Sequence, residues 1–110
     1  MHIQITARHF KTHDSIREHI TNELEKLEKF FDGIIGCEVV LFFERPQNSR
    51  KHCEMTMKVR GEKLFAAADS DDFLKSVDMS VEKLERQLKK YKDKLREKDK
   101  KMVREVNAKP

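Results

Sequence analysis

Glycine, proline and cysteine are all scarce in this chain, and each shortage closes off a class of function. Three glycines in 110 residues leave no glycine-rich loop to cradle a nucleotide phosphate. The two cysteines, Cys37 and Cys53, form no Cys-x-x-Cys pair, so neither a thiolate zinc site nor a disulfide framework is indicated. No stretch approaches the roughly 18 apolar residues of a membrane span. The opening Met1-His2-Ile3-Gln4-Ile5 alternates, and no apolar leader core follows it. The expectation is a cytoplasmic protein with reduced thiols that carry no function. With only two prolines, no linker divides the chain, and there is no internal repeat. One folded α/β domain over residues 1–100 and a basic tail over 101–110 is the expected organisation.

Catalytic chemistry is equally sparse. The five histidines (His2, His9, His13, His19 and His52) are scattered. His52 and Cys53 are neighbours in a strand-like run and so face opposite ways. Structural zinc needs four well-spaced ligands, so neither a metal nor a cofactor is expected. Carboxylates such as Glu82, Glu85, Asp93 and Glu97 sit among lysines and read as ion pairs on a helix surface. The chain does not read as an enzyme.

What the chain does have is periodicity. Residues 2–8 alternate, with Ile3, Ile5 and Ala7 opposite His2, Gln4, Thr6 and Arg8, the pattern of a half-buried strand. Thr12, His13 and Asp14 offer helix-starting chemistry. Ile16, Ile20, Leu24, Leu27 and Phe31 follow at helical spacing, and Asp32-Gly33 is expected to end that helix through a left-handed glycine cap. Residues 37–44 are nearly all apolar, as expected for a strand covered on both faces or nearly so. A polar turn is read at 45–49. Residues 51–60 alternate cleanly, 60–62 make a tight reversal, and 63–69 contain three alanines that suit a strand beneath a helix. Ser70, Asp71 and Asp72 precede a last helix from 73 to about 100 or beyond. The order β-α-β-β-β-α predicts an α+β fold, a four-stranded mixed sheet with both helices packed on one face.

The last helix carries most of the cationic character. Residues 1–72 hold 11 Lys and Arg against 13 Asp and Glu, a net of −2, whereas residues 73–110 hold 13 against 7, a net of +6. Leu74, Val77, Val81, Leu84, Leu88, Tyr91 and Leu95 recur at steps of three and four, which sets them on one side of a helix. Lys83, Arg86, Lys90, Lys94 and Lys101 fall on the far side at about 100° per residue. Such a helix packs through one face and presents cations to a polyanion through the other. A competing reading makes the apolar stripe a coiled-coil seam.

Several segments carry a family resemblance. They are Ile3-Gln4-Ile5-Thr6, Ile16-Arg17-Glu18, Lys26-Leu27-Glu28-Lys29-Phe30-Phe31, Ala66-Ala67-Ala68, Asp72-Phe73-Leu74 and the run from Lys83-Leu84-Glu85-Arg86-Gln87-Leu88 to Leu95. Over residues 1 to about 96 the chain resembles the short form of the ribosome hibernation-promoting factors, also called ribosome-associated inhibitors. The resemblance implies a fold like the double-stranded-RNA-binding domain. It implies binding to the small ribosomal subunit and its rRNA, in the messenger and transfer RNA channel near the decoding region, and inhibition of translation in stress or stationary phase. The implied rRNA-binding positions are Lys83, Arg86, Lys89, Lys90 and Lys94, with Lys26 and Lys29 on the first helix. Four of the first five are those chosen by the helix wheel.

The long form of that family carries a second, dimerising domain that these 110 residues do not include. Pairing of ribosomes is therefore expected to need another factor. His19 stands where relatives often carry an apolar residue. A monomer with no small-molecule substrate and no membrane partner is expected. The alternatives from the residues alone are a general double-stranded-RNA-binding domain acting off the ribosome, and a helix-mediated protein-interaction module.

Overall fold

The computed structural model describes residues 1–44 and 50–108, with side chains in the last helix as far as residue 96. The turn read at 45–49 lies outside the described residues, as do the side chains of the tail over 101–110 and Lys101 with them. The elements run β1 (His2–Ala7), α1 (Asp14–Phe30), β2 (Ile34–Phe43), β3 (Lys51–Val59), β4 (Glu62–Ser70) and α2 (Phe73–Ala108). The sheet order is β1-β2-β3-β4. β1 and β2 pair in parallel across the α1 crossover, and the other two pairs are antiparallel. The expected β-α-β-β-β-α mixed sheet is the observed one.

Strand register stacks the core into rows. Ile3, Cys37, Met57 and Leu64 form one row, Ile5, Val39, Met55 and Ala66 the next, and Ala7, Leu41, Cys53 and Ala68 the third. From the helical layer, Ile20, Leu24 and Leu27 of α1 and Val77, Val81, Leu84, Leu88 and Tyr91 of α2 enter the same cluster. α2 lies over β3 and β4. The alanines at 66 and 68 admit it closely, and its two fully buried serines use that proximity. Ser76 Oγ donates to the Lys51 carbonyl at 2.6 Å, and Ser80 Oγ donates to the Cys53 carbonyl at 3.0 Å. Buried hydroxyls are tolerated because each has such a partner.

The structure corrects several details of the sequence reading. Gly33 is not a left-handed cap. α1 stops at Phe30, Phe31 is extended at φ −145°, and its amide closes the last turn onto Leu27. Gly33 instead lies against a side chain, since a Cβ there would be 2.8 Å from the Phe31 ring. The left-handed glycine is Gly61, at φ +86°, in the β3–β4 hairpin. At the start of α1, His13 takes the cap position without a side-chain bond, and Thr12 is buried instead of capping. β2 begins at Ile34, three residues earlier than expected, through a register irregularity between Ile34 and Gly36 that turns Ile35 outward.

β2 is covered on one face only, because both helices pack on that same face. Its outward Phe42 is shielded by its neighbours on the sheet, stacked on the His52 ring at 4.6 Å with the Arg8 guanidinium 5.2 Å from its centre. Leu74 and Leu95, the ends of the predicted stripe, are 37% and 40% exposed. Phe73 is buried in place of Leu74, stacked on Phe10 at 5.0 Å. The stripe from Val77 to Tyr91 is buried against the sheet, which leaves no seam there for a coiled coil. At 36 residues α2 is roughly 54 Å long. Four strands side by side span roughly 15–20 Å, so the helix outruns the sheet beyond Tyr91.

Candidate nucleic-acid interface

The cations of α2 divide between its two flanks, and their packing partners define each flank. On the β4 side, Lys83 Nζ donates to the Ala67 carbonyl at 2.6 Å and Gln87 Nε2 donates to the Phe65 carbonyl at 2.7 Å. Tyr91 Oη donates to the Arg60 carbonyl on the same side. Lys83 and Gln87 thereby cover the free edge of β4, where a strand otherwise presents unpaired carbonyls, and Tyr91 holds the β3–β4 hairpin just before it. Lys90 and Lys94 follow Lys83 by seven and eleven residues, two and three helical turns, and share its flank. Both are exposed.

The opposite flank of α2 faces α1. Asp78 accepts from His19 Nε2 at 2.5 Å, and the Lys92 ammonium sits 5.0 Å from the centre of the Phe30 ring. Lys89 is eleven residues beyond Asp78 and lies on that flank, 3.6 Å from Glu85. Arg86 stands between the two flanks, exposed, 3.9 Å from Glu82. On α1, Lys26 donates to Glu23 at 2.9 Å, and Lys29 is exposed in the last turn. The hydrogen bond and charge of Glu23, with a smaller contribution from Asp78, hold the Lys26 ammonium above the ordinary lysine value.

All seven candidate side chains therefore lie on the helical layer, but they do not make one column. Lys83, Lys90 and Lys94 edge the sheet, Arg86 crowns the helix, and Lys89 looks toward the side of Lys26 and Lys29. Among the described residues, Lys90, Lys94 and Lys29 have no ion-pair partner, so their charge is directed at solvent. The i,i+4 pairs of Arg86 and Lys89 are exposed contacts of the kind that exchange readily for a stronger anion. A layer of this kind can follow phosphates along an RNA groove by charge and shape, with little reading of base sequence.

Sequence reasoning missed the edge role shared by Lys83 with Gln87. The wheel angle places Lys83 away from the apolar stripe, and only the position of β4 shows that its long stem reaches back. It also missed the contact between His19 and Asp78, which are 59 residues apart. Cys37 and Cys53 are both buried free thiols. Register sets Cys37 opposite Met57 and Cys53 opposite Leu41, so they are not a cross-strand pair. Burial pushes the Cys37 thiol up to about 12 and the Cys53 thiol up to about 11. Among the described residues, no helix is long and apolar enough to cross a membrane.

Comparison with known proteins agrees with this architecture. Residues 3–96 match the family model described as sigma 54 modulation protein / S30EA ribosomal protein. A ribosome hibernation promoting factor of Escherichia coli (strain K12) is 34% identical over 97 residues, covering 88% of this chain and 99% of its own. One from Pseudomonas putida is 30% identical over 94 residues, covering 86% of this chain and 89% of its own. Among solved structures, a ribosomal subunit interface protein from Coxiella burnetii superposes with a TM-score of 0.77 at 31% identity, covering 84% of this chain and 99% of that one. The N-terminal domain of Thermus thermophilus Protein Y shares the fold, with a TM-score of 0.72 at 24% identity over 83% of this chain and 99% of that one.

Proposed function

The chain belongs to the sigma 54 modulation protein / S30EA ribosomal protein family, and from that membership we propose that it is a ribosome hibernation factor that inhibits translation by occupying the small subunit. The occupied place is the channel of messenger and transfer RNA near the decoding region. The observation that carries this reading is the array of exposed cations on the helical layer, in a chain that spans nearly the full length of the hibernation promoting factor it matches.

The action is steric and not catalytic. Affinity comes mainly from Arg and Lys side chains that displace counterions from rRNA phosphates, and the rigid sheet holds the helical layer that carries them. The protein acts as a monomer in the cytoplasm, since the apolar stripe of α2 is already used by its own sheet. The basic tail over 101–110 extends the domain of residues 1–100.

Sedimentation of the protein with purified ribosomal subunits tests this. It should travel with the small subunit at low salt and be displaced as salt rises. Protein that stays at the top of the gradient at low salt overturns the proposal. Equal affinity for an arbitrary RNA duplex and for intact small subunits would favour a general RNA-binding domain instead.

A further inference from the structure

His19, Glu23 and Asp78 bring one nitrogen and two carboxylate ligands together between the two helices, and we propose that they form a binding site for a divalent metal ion of the zinc class. His19 and Glu23 are four residues apart on α1, one turn, and therefore project from the same flank. Asp78 meets them from α2. One ligand atom from each residue lies within 4.8 Å of those of the other two. Zinc holds imidazole nitrogen and carboxylate oxygen at about 2.0–2.2 Å, so tetrahedral ligands stand roughly 3.3–3.6 Å from one another. His19 Nε2 and Asp78 Oδ1, now 2.5 Å apart, need to open by about an ångström, and a Glu23 carboxylate oxygen already lies within 4.8 Å of both. The side chains of His19 and Asp78 are 31% and 56% exposed, which leaves room for that adjustment and for a water as fourth ligand.

The charge balance favours the ion. Two carboxylates face one imidazole, and Lys26 pairs with one of them, held by Glu23 Oε1 at 2.9 Å. The mixed nitrogen and oxygen donor set suits zinc and disfavours magnesium, which requires a near-ideal octahedron of oxygen ligands. The ion would join helices that otherwise meet through few residues, so the site is a clamp across the helical layer. It requires His19 Nε2 to offer its lone pair to the ion.

Calorimetric titration of the full chain with zinc chloride in chelator-free buffer at neutral pH is the test. One ion per chain is expected, with a visible cobalt spectrum when cobalt replaces zinc. At free zinc 100-fold above its Kd, the folded-to-unfolded ratio should rise about 100-fold. His19→Ala and Asp78→Asn should each weaken binding by at least about tenfold, and changing both cysteines to alanine should leave it intact. Absence of binding up to about 1 mM zinc overturns the proposal. So does binding that survives both ligand variants, which would place the ion on other surface histidines. Magnesium competing on equal terms would overturn the assignment to the zinc class.

Discussion

Replacing Arg86, Lys90 and Lys94 together by glutamine is the perturbation that most directly tests the interface. The choice follows from the packing. All three are exposed, and none bonds to the sheet among the described residues. Their loss removes one exposed i,i+4 ion pair, that of Arg86 with Glu82 at 3.9 Å, which contributes at most a few tenths of a kcal/mol to folding. Stability should therefore hardly change. Each cation that touches a phosphate releases counterions, and log K falls with log salt by about 0.9 per contact on duplex nucleic acid. Three lost contacts lower the magnitude of that slope by roughly 2.7. Between about 50 and 200 mM salt, the advantage of the unaltered protein over the variant should shrink roughly 40-fold. The assay is binding of labelled protein to small subunits across that salt range. An unchanged slope in a variant that is still folded would refute phosphate contact by this part of α2. Lys83→Gln makes the informative contrast. Lys83 bonds to the β4 edge at Ala67, so its loss should lower stability by about 0.5–1 kcal/mol, with a smaller effect on the salt slope than any of the other three.

Further outcomes follow from the buried thiols and from the glycines. The native thiols should resist alkylation at pH 8 and react only on unfolding, because Cys37 and Cys53 are raised to about 12 and about 11. Since the folded values lie above the unfolded one, the thiols' contribution is complete below about pH 9 and is lost as pH rises toward the folded values, so the double alanine variant should show a shallower alkaline decline in denaturant titrations. Gly36→Ala should destabilise more than Gly33→Ala, because its new Cβ meets the His2 backbone oxygen at 2.9 Å whereas at Gly33 it meets a ring that can turn. Gly61→Ala, at φ +86°, should cost about 1–2 kcal/mol; a melting temperature unchanged by either Gly36→Ala or Gly61→Ala would contradict the strain argument.

Local pattern was enough to specify the elements of this protein. Alternation in β1 and β3, the 3.6-residue stripe from Val77 to Tyr91 and the alanines of β4 each reflect a burial that repeats along the chain, so each was legible without knowing its partner. The cationic surplus of residues 73–110 was legible for the same reason, because charge on a helix face needs no tertiary information. Features that join distant segments were not. That Lys83 and Gln87 cap the β4 edge depends on α2 lying across β3 and β4. The apolar face of β2 read as doubly covered because sequence cannot say that both helices take the same side of the sheet. Gly33 and Gly61 are alike in sequence, yet one lies against a ring and the other turns a hairpin. The meeting of His19 and Glu23 with Asp78 has no local signature at all, because their three ligand atoms converge only when the sheet brings α1 and α2 side by side.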